Sequence, residues 1–303
     1  MLTVMGEGLV DVLSGGISAP KTYVGGSPLN VSVALARLGH PVTFVSRYGD
    51  DGPGNKIRDY LTANSVREAL GPDELPTSTA RGTLDPAGTA TYDFDFSWKL
   101  PEISAFESAL KDAQLVHTGS IACVVEPGAT TVLRAVETAH PHATITYDPN
   151  IRPTFVSNHA EAVAQAERFV KLSDVVRTSD NDLDWLYPRR SVADSARAWR
   201  EMGPAVVTVT HGSRGASGFV AAGEVTVPSR VVEVADNVGS GDTFMAALIS
   251  GIADRELIGA SKREQLRQLT TEALEQIVDF AVRAAAVTVS RSGANPPFRH
   301  EVR

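Results

Sequence analysis

Between positions 236 and 244 the chain reads DNVGSGDTF, two aspartates six positions apart with Gly239, Ser240 and Gly241 directly before the second. Residues this small leave backbone N–H groups bare. Val231–Val234 has the pattern of a strand and Thr243–Ile252 that of a helix, which puts Val238–Asp242 at a strand-to-helix junction. The first turn of a helix offers unpaired N–H groups and the positive end of the helix dipole, so glycines there let an anion approach the backbone closely. Asp242 could be a plain N-cap, worth about 1 kcal/mol. A cap, however, needs no bare backbone beside it. Next to a hole that holds a phosphoryl group, a carboxylate could take the proton of an attacking hydroxyl, and the dipole is expected to keep it ionised.

Other phosphate-binding and nucleophilic signatures are missing. A dinucleotide-binding turn needs GxGxxG in the first βαβ unit, whereas this GxG falls late in the chain, which disfavours a Rossmann oxidoreductase. There is no GxxxxGK[ST] and no GxSxG, so neither a P-loop nucleotidase nor a simple serine hydrolase is indicated. Seven histidines have no metal-ligand spacing, and the single cysteine, Cys123, can form no internal disulfide, as suits a reducing cytosol.

The elements that must hold these residues alternate short β-branched runs with stretches of helical period, the pattern of a mainly parallel sheet covered by helices on both faces. Strands are predicted at Leu2–Met5, Val42–Ser46, Leu115–Thr118, Thr144–Tyr147, Val175–Arg177 and Val206–Thr210. Helices are predicted at Pro28–Leu38, Asn55–Ala63, Ala129–Ala139 and Ala160–Leu172. Residues 77–98 instead alternate polar and apolar around Asp85-Pro86-Ala87-Gly88, a hairpin pattern, with Tyr92, Phe94 and Phe96 on one face. A hairpin needs partners, and Val10–Ser14 with Lys21–Val24 are the obvious pair. These four strands either form a small sheet apart from the main one or extend its edge.

At 303 residues the chain could be two ordinary domains or one large α/β domain with an insertion. The net charge is −8, from 28 basic and 36 acidic residues, and no Lys/Arg stripe interleaved with aromatics suggests a nucleic-acid partner. No basic leader or run of about 18 apolar residues is present, so a cytoplasmic protein without a membrane segment is expected. Asn30-Val31-Ser32 matches a glycosylation sequon but falls inside a helical pattern, and is read as chance.

At DNVGSGDTF the sequence resembles the ribokinase (PfkB-type) family of carbohydrate kinases, whose later signature reads like D-T-x-G-A-G-D. The resemblance covers nearly the whole chain. Gly25-Gly26-Ser27-Pro28-Leu29-Asn30 is similar to the family's first signature, MGEGLVD at 5–11 to its first strand and sugar-binding aspartate, and DPNIRP at 148–153 to a stretch common in fructokinases and 2-keto-3-deoxygluconate kinases. The implied fold is a ribokinase-like three-layer αβα sandwich, a single domain over 1–303, with a small β-sheet lid built from about 10–24 and 77–98.

The resemblance implies an ATP-dependent sugar kinase, closest to fructokinase-like members, with 2-keto-3-deoxygluconate kinase and ribokinase as alternatives. Asp242 would be the base, and Gly239, Ser240 and Gly241 would hold the transferring phosphoryl group. Asp11, Gly25, Gly26 and Asn30 would bind the sugar, with Arg152 reaching a phosphate or a substrate carboxylate. ATP with Mg²⁺ would lie along Thr210, Gly212, Gly215 and Asn295. Asp236 would help bind a monovalent cation such as K⁺, or merely bond to N–H groups of its loop. The family's usual N-x-x-E is replaced by Ser179 and Asp182; Asp182 would meet Mg²⁺ through water, unless the pair simply caps a helix. A non-catalytic sugar-binding regulator is the reading from another class, and a homodimer paired through the aromatic face of the lid is the expected assembly.

Overall fold

Successive side chains along a strand point to opposite faces of its sheet, and here both faces are apolar. Val4, Phe44, Leu115, Val175 and Val206 enter one buried cluster, while their neighbours Met5, Val45, Val116, Val176 and Val207 enter another. A sheet with two dry faces needs helices on both. The computed structural model describes residues 1–14, 21–84 and 90–302 and has this three-layer form.

The central strands are β1 (Leu2–Met5), β4 (Val42–Val45), β5 (Arg67–Glu68), β8 (Leu115–Gly119), β9 (Thr144–Asp148), β10 (Val175–Ser179), β11 (Val206–Thr210), β12 (Ala216–Val220) and β13 (Gly223–Val227). Their order is β13-β12-β11-β10-β9-β8-β1-β4-β5, parallel from β5 to β11 and antiparallel across β12 and β13. One face is covered by α1 (Ser27–Arg37), α2 (Gly52–Ala63), α8 (Ser240–Ala253), α9 (Arg263–Arg267) and α10 (Thr271–Val289). The other carries α3 (Glu107–Lys111), α4 (Gly128–Ala139), α5 (His159–Leu172), α6 (Asp180–Leu186) and α7 (Val192–Glu201), with Trp199 and Trp98 in its core. The chain leaves β1 toward β4 on one side and β8 on the other, so the loops after β1, β8, β9 and β10 converge at the sheet's carboxyl edge, where such folds bind ligands.

The four predicted short strands form a separate sheet rather than an edge of the central one. It comprises β2 (Leu9–Ser14), β3 (Lys21–Gly25), β6 (Thr79–Leu84) and β7 (Ala90–Asp95) in the order β3-β2-β6-β7, with β2 and β6 parallel. The turn expected at Asp85-Pro86-Ala87-Gly88 and the Tyr92 side chain lie outside the described residues. Phe94 and Phe96 turn back on the same chain's Phe155, with ring centroids 5.0 and 5.4 Å away and edges meeting faces.

The strand expected at Val231–Val234 does not form. The segment lies on the surface with Val231 fully exposed, and β-branched residues make a strand only where a neighbouring strand pairs with them. Asn30 is buried within α1, in keeping with a chance sequon. Among the described residues no helix is long and apolar enough to cross a membrane.

Helices α8 and α10 make the most extensive helix pairing, and they pack tightly at Gly251: a Cβ there would stand 3.0 Å from Ile277 Cγ2. Gly251→Leu should therefore wedge the two helices apart, costing about 1–3 kcal/mol despite the better helix former. Urea unfolding should give a lower midpoint with an unchanged slope.

Candidate active site

A cavity of about 660 Å³ opens at the carboxyl edge of the central sheet, between it and the small sheet. Its floor is the first turn of α8. Gly239 caps that helix in the left-handed conformation, at φ 74°, which an L side chain adopts only with strain. Asp242 is thus the third residue of the helix and not its cap, a correction to the predicted boundary: the turn at Gly239 starts the helix three residues earlier. Among the described residues the N–H groups of Gly239, Gly241 and Asp242 have no hydrogen-bond partner, whereas Ser240 directs its N–H toward Asn237 O at 3.4 Å. An anion at this turn would meet three free donors.

Beneath Gly241 lies the guanidinium of Arg177, the middle residue of β10. A Cβ on Gly241 would stand 2.8 Å from it, so any larger residue here would have to displace the guanidinium from its bonds to Asp148 and Thr210. Arg177 donates to Asp148 Oδ2 at 2.9 Å and to Thr210 Oγ1, and its buried Nε has no partner among the described residues. Sequence reasoning treated Arg177 only as the end of a strand. The available signal was an arginine following Val175-Val176 in a central strand, a place where a charge is tolerated only beside an opposite one.

Asp242 is 8% exposed, and its carboxylate is gripped from the first turn of α1. Ser27 Oγ donates to Oδ1 at 2.6 Å and Asn30 Nδ2 to Oδ2 at 2.8 Å. Burial pushes its pKa up; the Ser27 and Asn30 bonds and the charges of Arg177 and Arg152 act the other way. Burial is the largest of these influences, so the carboxyl lies above the ordinary aspartate range even at a helix end. Among the described residues the buried Asn30 Oδ1 has no hydrogen-bond partner.

Ser27 is in turn held by Glu7, which sequence reasoning also passed over. Its Oε1 accepts from Ser27 N at 3.3 Å and its Oε2 from Ala122 N at 3.2 Å, joining the start of α1 to the loop after β8. Burial raises the Glu7 carboxyl to about 7. On the paired strands β2 and β3, Gly25 stands opposite Leu9 with the Asp11 carboxylate beside it, and Gly26 caps α1. Asp11 has no hydrogen-bond partner among the described residues, and desolvation raises its carboxyl to about 6.

The other predicted residues divide into two groups. Arg152 lines the cavity and bonds to the carbonyl oxygens of Asn150 and Ile151. Asp182 also lines it, but its oxygens are engaged: Oδ1 accepts from Ile151 N at 2.8 Å, and Oδ2 from Ser179 N and Oγ at 2.9 and 2.7 Å. Ser179 and Asp182 form a capping box for α6, the simpler of the two predicted roles. Asp236 accepts from Val238 N at 3.0 Å and Gly293 N at 2.9 Å, clipping the loop before α8 to the segment after α10. Thr210, Gly212, Gly215 and Asn295 do not line the cavity; the Asn295 side chain accepts from Arg37 Nη1 at 2.6 Å, and Ala294 faces the site in its stead.

Known proteins share this arrangement of layers. The family model described as pfkB family carbohydrate kinase matches residues 7–301. A fructokinase of Rhizobium leguminosarum bv. trifolii is 30% identical over 281 residues, covering 90% of this chain and 85% of its own length. The crystal structure of a fructokinase with bound ATP from Xylella fastidiosa has a TM-score of 0.88 at 25% identity, covering 99% and 96% of the two chains. A double-mutant fructokinase from Vibrio cholerae O395, in a form with fructose, ADP and potassium ion, has a TM-score of 0.79 at 25% identity, covering 97% and 93%. The three-layer fold with its small separate sheet is therefore ribokinase-like.

Two stability effects follow from the charges. Arg177→Met leaves Asp148, 1% exposed, without its counter-charge and should cost about 3–5 kcal/mol in urea unfolding, part of it recovered by adding Asp148→Asn. Asp11 has the opposite sign. Its pKa rises from 3.8 to about 6 on folding, so the folded chain binds more protons in that window and stability falls as pH climbs through it. Asp11→Asn should remove that slope from the melting temperature between pH 4 and 6 and raise stability at pH 7.

Proposed function

The chain belongs to the pfkB family of carbohydrate kinases, and on that premise we propose that it transfers the γ-phosphoryl group of ATP to a hydroxyl of D-fructose or a closely similar sugar. The observation that carries this reading is Asp242, buried beside the free N–H groups of Gly239 and Gly241 in the cavity that also holds Asp11 and Asn30.

In this mechanism the sugar lies between the small sheet and α1. Asp11 accepts hydrogen bonds from its hydroxyls, and the unpartnered Asn30 Oδ1 accepts another. One hydroxyl is presented to Asp242, which takes its proton; the raised pKa makes Asp242 a stronger base than an exposed aspartate. The transferring group sits over the first turn of α8, where backbone N–H groups and the Arg177 guanidinium behind Gly241 offset the charge on its oxygens. The small sheet closes the cavity against water as a lid, which keeps water from competing as acceptor.

Among the described residues no cluster of three or more His, Cys, Asp or Glu could hold a metal ion, and Asp182 has both oxygens engaged. Mg²⁺ would thus be carried on the nucleotide's phosphates, where it neutralises their charge, with Asp182 reached through water. Potassium near Asp236 belongs to the same reading, supported by the ion named for the Vibrio cholerae structure. Arg152 favours a second acceptor class: its guanidinium lines the cavity and would suit a sugar acid such as 2-keto-3-deoxygluconate.

ADP release measured across hexoses, pentoses and sugar acids should be fastest with fructose; a strong preference for sugar acids would select the second class, and no turnover on any of them would favour a sugar-binding regulator. Asp242→Asn should lower kcat by about 10²–10⁴-fold, the usual worth of a general base, while calorimetric sugar binding is largely retained. Full activity in that variant would sink the mechanism.

A further inference from the structure

The proposed reaction needs a hydroxyl donating to Asp242, and the protein already supplies one. Ser27 Oγ donates to Asp242 Oδ1 at 2.6 Å. The Ser27 backbone is anchored by its N–H to Glu7, and the residue is half-buried and lines the same cavity as Gly239 and Gly241. Its hydroxyl is therefore fixed on the base, not turning freely in solvent. Ser240 makes an informative contrast: it is nearer in sequence to the anion-binding turn, but its hydroxyl donates to Asn237 O at 2.9 Å.

We propose that Ser27 is a built-in phosphoryl acceptor, which takes the γ-phosphoryl group of ATP when no sugar occupies the cavity. This inference rests on the reading of Asp242 as base. The Ser27 oxygen forms the new bond to the γ-phosphorus, and the bond from that phosphorus to the bridging oxygen of ATP breaks. ADP leaves with the electron pair, and the hydroxyl proton passes to Asp242 and then to solvent. Nothing is oxidised or reduced. A bound sugar competes by presenting its own hydroxyl to the same carboxylate, so transfer to Ser27 is a reaction of the empty site.

The product would be self-limiting. A phosphoserine brings a charge of about −1.5 to −2 into a cavity that already holds Glu7, Asp11 and Asp242, and it occupies the place of the sugar hydroxyl. Arg177 behind Gly241 and Arg152 at the cavity wall are the cations available to hold it. The modified chain is then closed to substrate, which ties activity to whether sugar was present when ATP bound.

The test is to incubate the purified full chain with MgATP and no sugar, then measure intact mass and map the site by peptide fragmentation. One added phosphoryl group on Ser27 is expected, absent from Asp242→Asn and from Ser27→Ala, with ATP-dependent sugar phosphorylation lost in proportion to the modified fraction. An unmodified chain, a phosphoryl group on any other residue, or labelling that persists in Asp242→Asn would overturn the inference. ADP release with fructose and the other acceptors, run in parallel, separates the two ideas. Asp242-dependent turnover with Ser27 unmodified removes the acceptor and leaves the kinase reading standing. Equal turnover in Asp242→Asn and the natural chain removes the reading itself.

Discussion

A buried carboxylate needs donors, and the donors for Asp242 come from the opposite end of the chain. Ser27 and Asn30 reach it across sequence separations of 215 and 212 residues. Without them a desolvated aspartate at the start of α8 would be costly, since an unpaired buried charge has no compensation for lost water. The two bonds set α1 against α8, and α1 is positioned through Glu7, which joins Ser27 to the loop after β8. The family's two signatures are thus parts of one hydrogen-bonded unit.

Beneath that unit lies a second layer of charge. Arg177 stands between Asp148 and the backbone of Gly241, and Thr210 and Asp148 both accept from it. Strands β9, β10 and β11 each contribute one member, so the sheet's register brings the guanidinium beneath the first turn of α8. Asp182 and Asp236 do comparable work in loops: the first joins the loop after β9 to the start of α6, the second the approach to α8 to the segment after α10. In both, a carboxylate accepting backbone N–H groups holds two segments together where no strand pairing exists.

The legible parts of the sequence were those governed by local rules. Apolar runs such as Val175-Val176 and Val206-Val207 have neighbours on opposite faces and could only belong to a sheet covered on both sides. The bare Gly239–Gly241 backbone marked the start of a helix with open N–H groups, since glycine carries no side chain to cover them. Val231–Val234 misled for a related reason: its side chains suit a strand, but a strand also requires a neighbour, and among the described residues none pairs with it. Arg177 and Glu7 were passed over because their importance comes from what packs against them.

The sequence by itself determined the layered α/β architecture, the four short strands outside its helical rhythm, and the glycine-rich turn with bare backbone before α8. These depend on side-chain period, glycine content and residue order, all local properties of the chain. Only the tertiary structure decided that Asp242 is buried, that it is held by Ser27 and Asn30, and that Arg177 stands behind Gly241. Those contacts join residues far apart in sequence, and their strength depends on the exclusion of water, which arises only once the layers close around them.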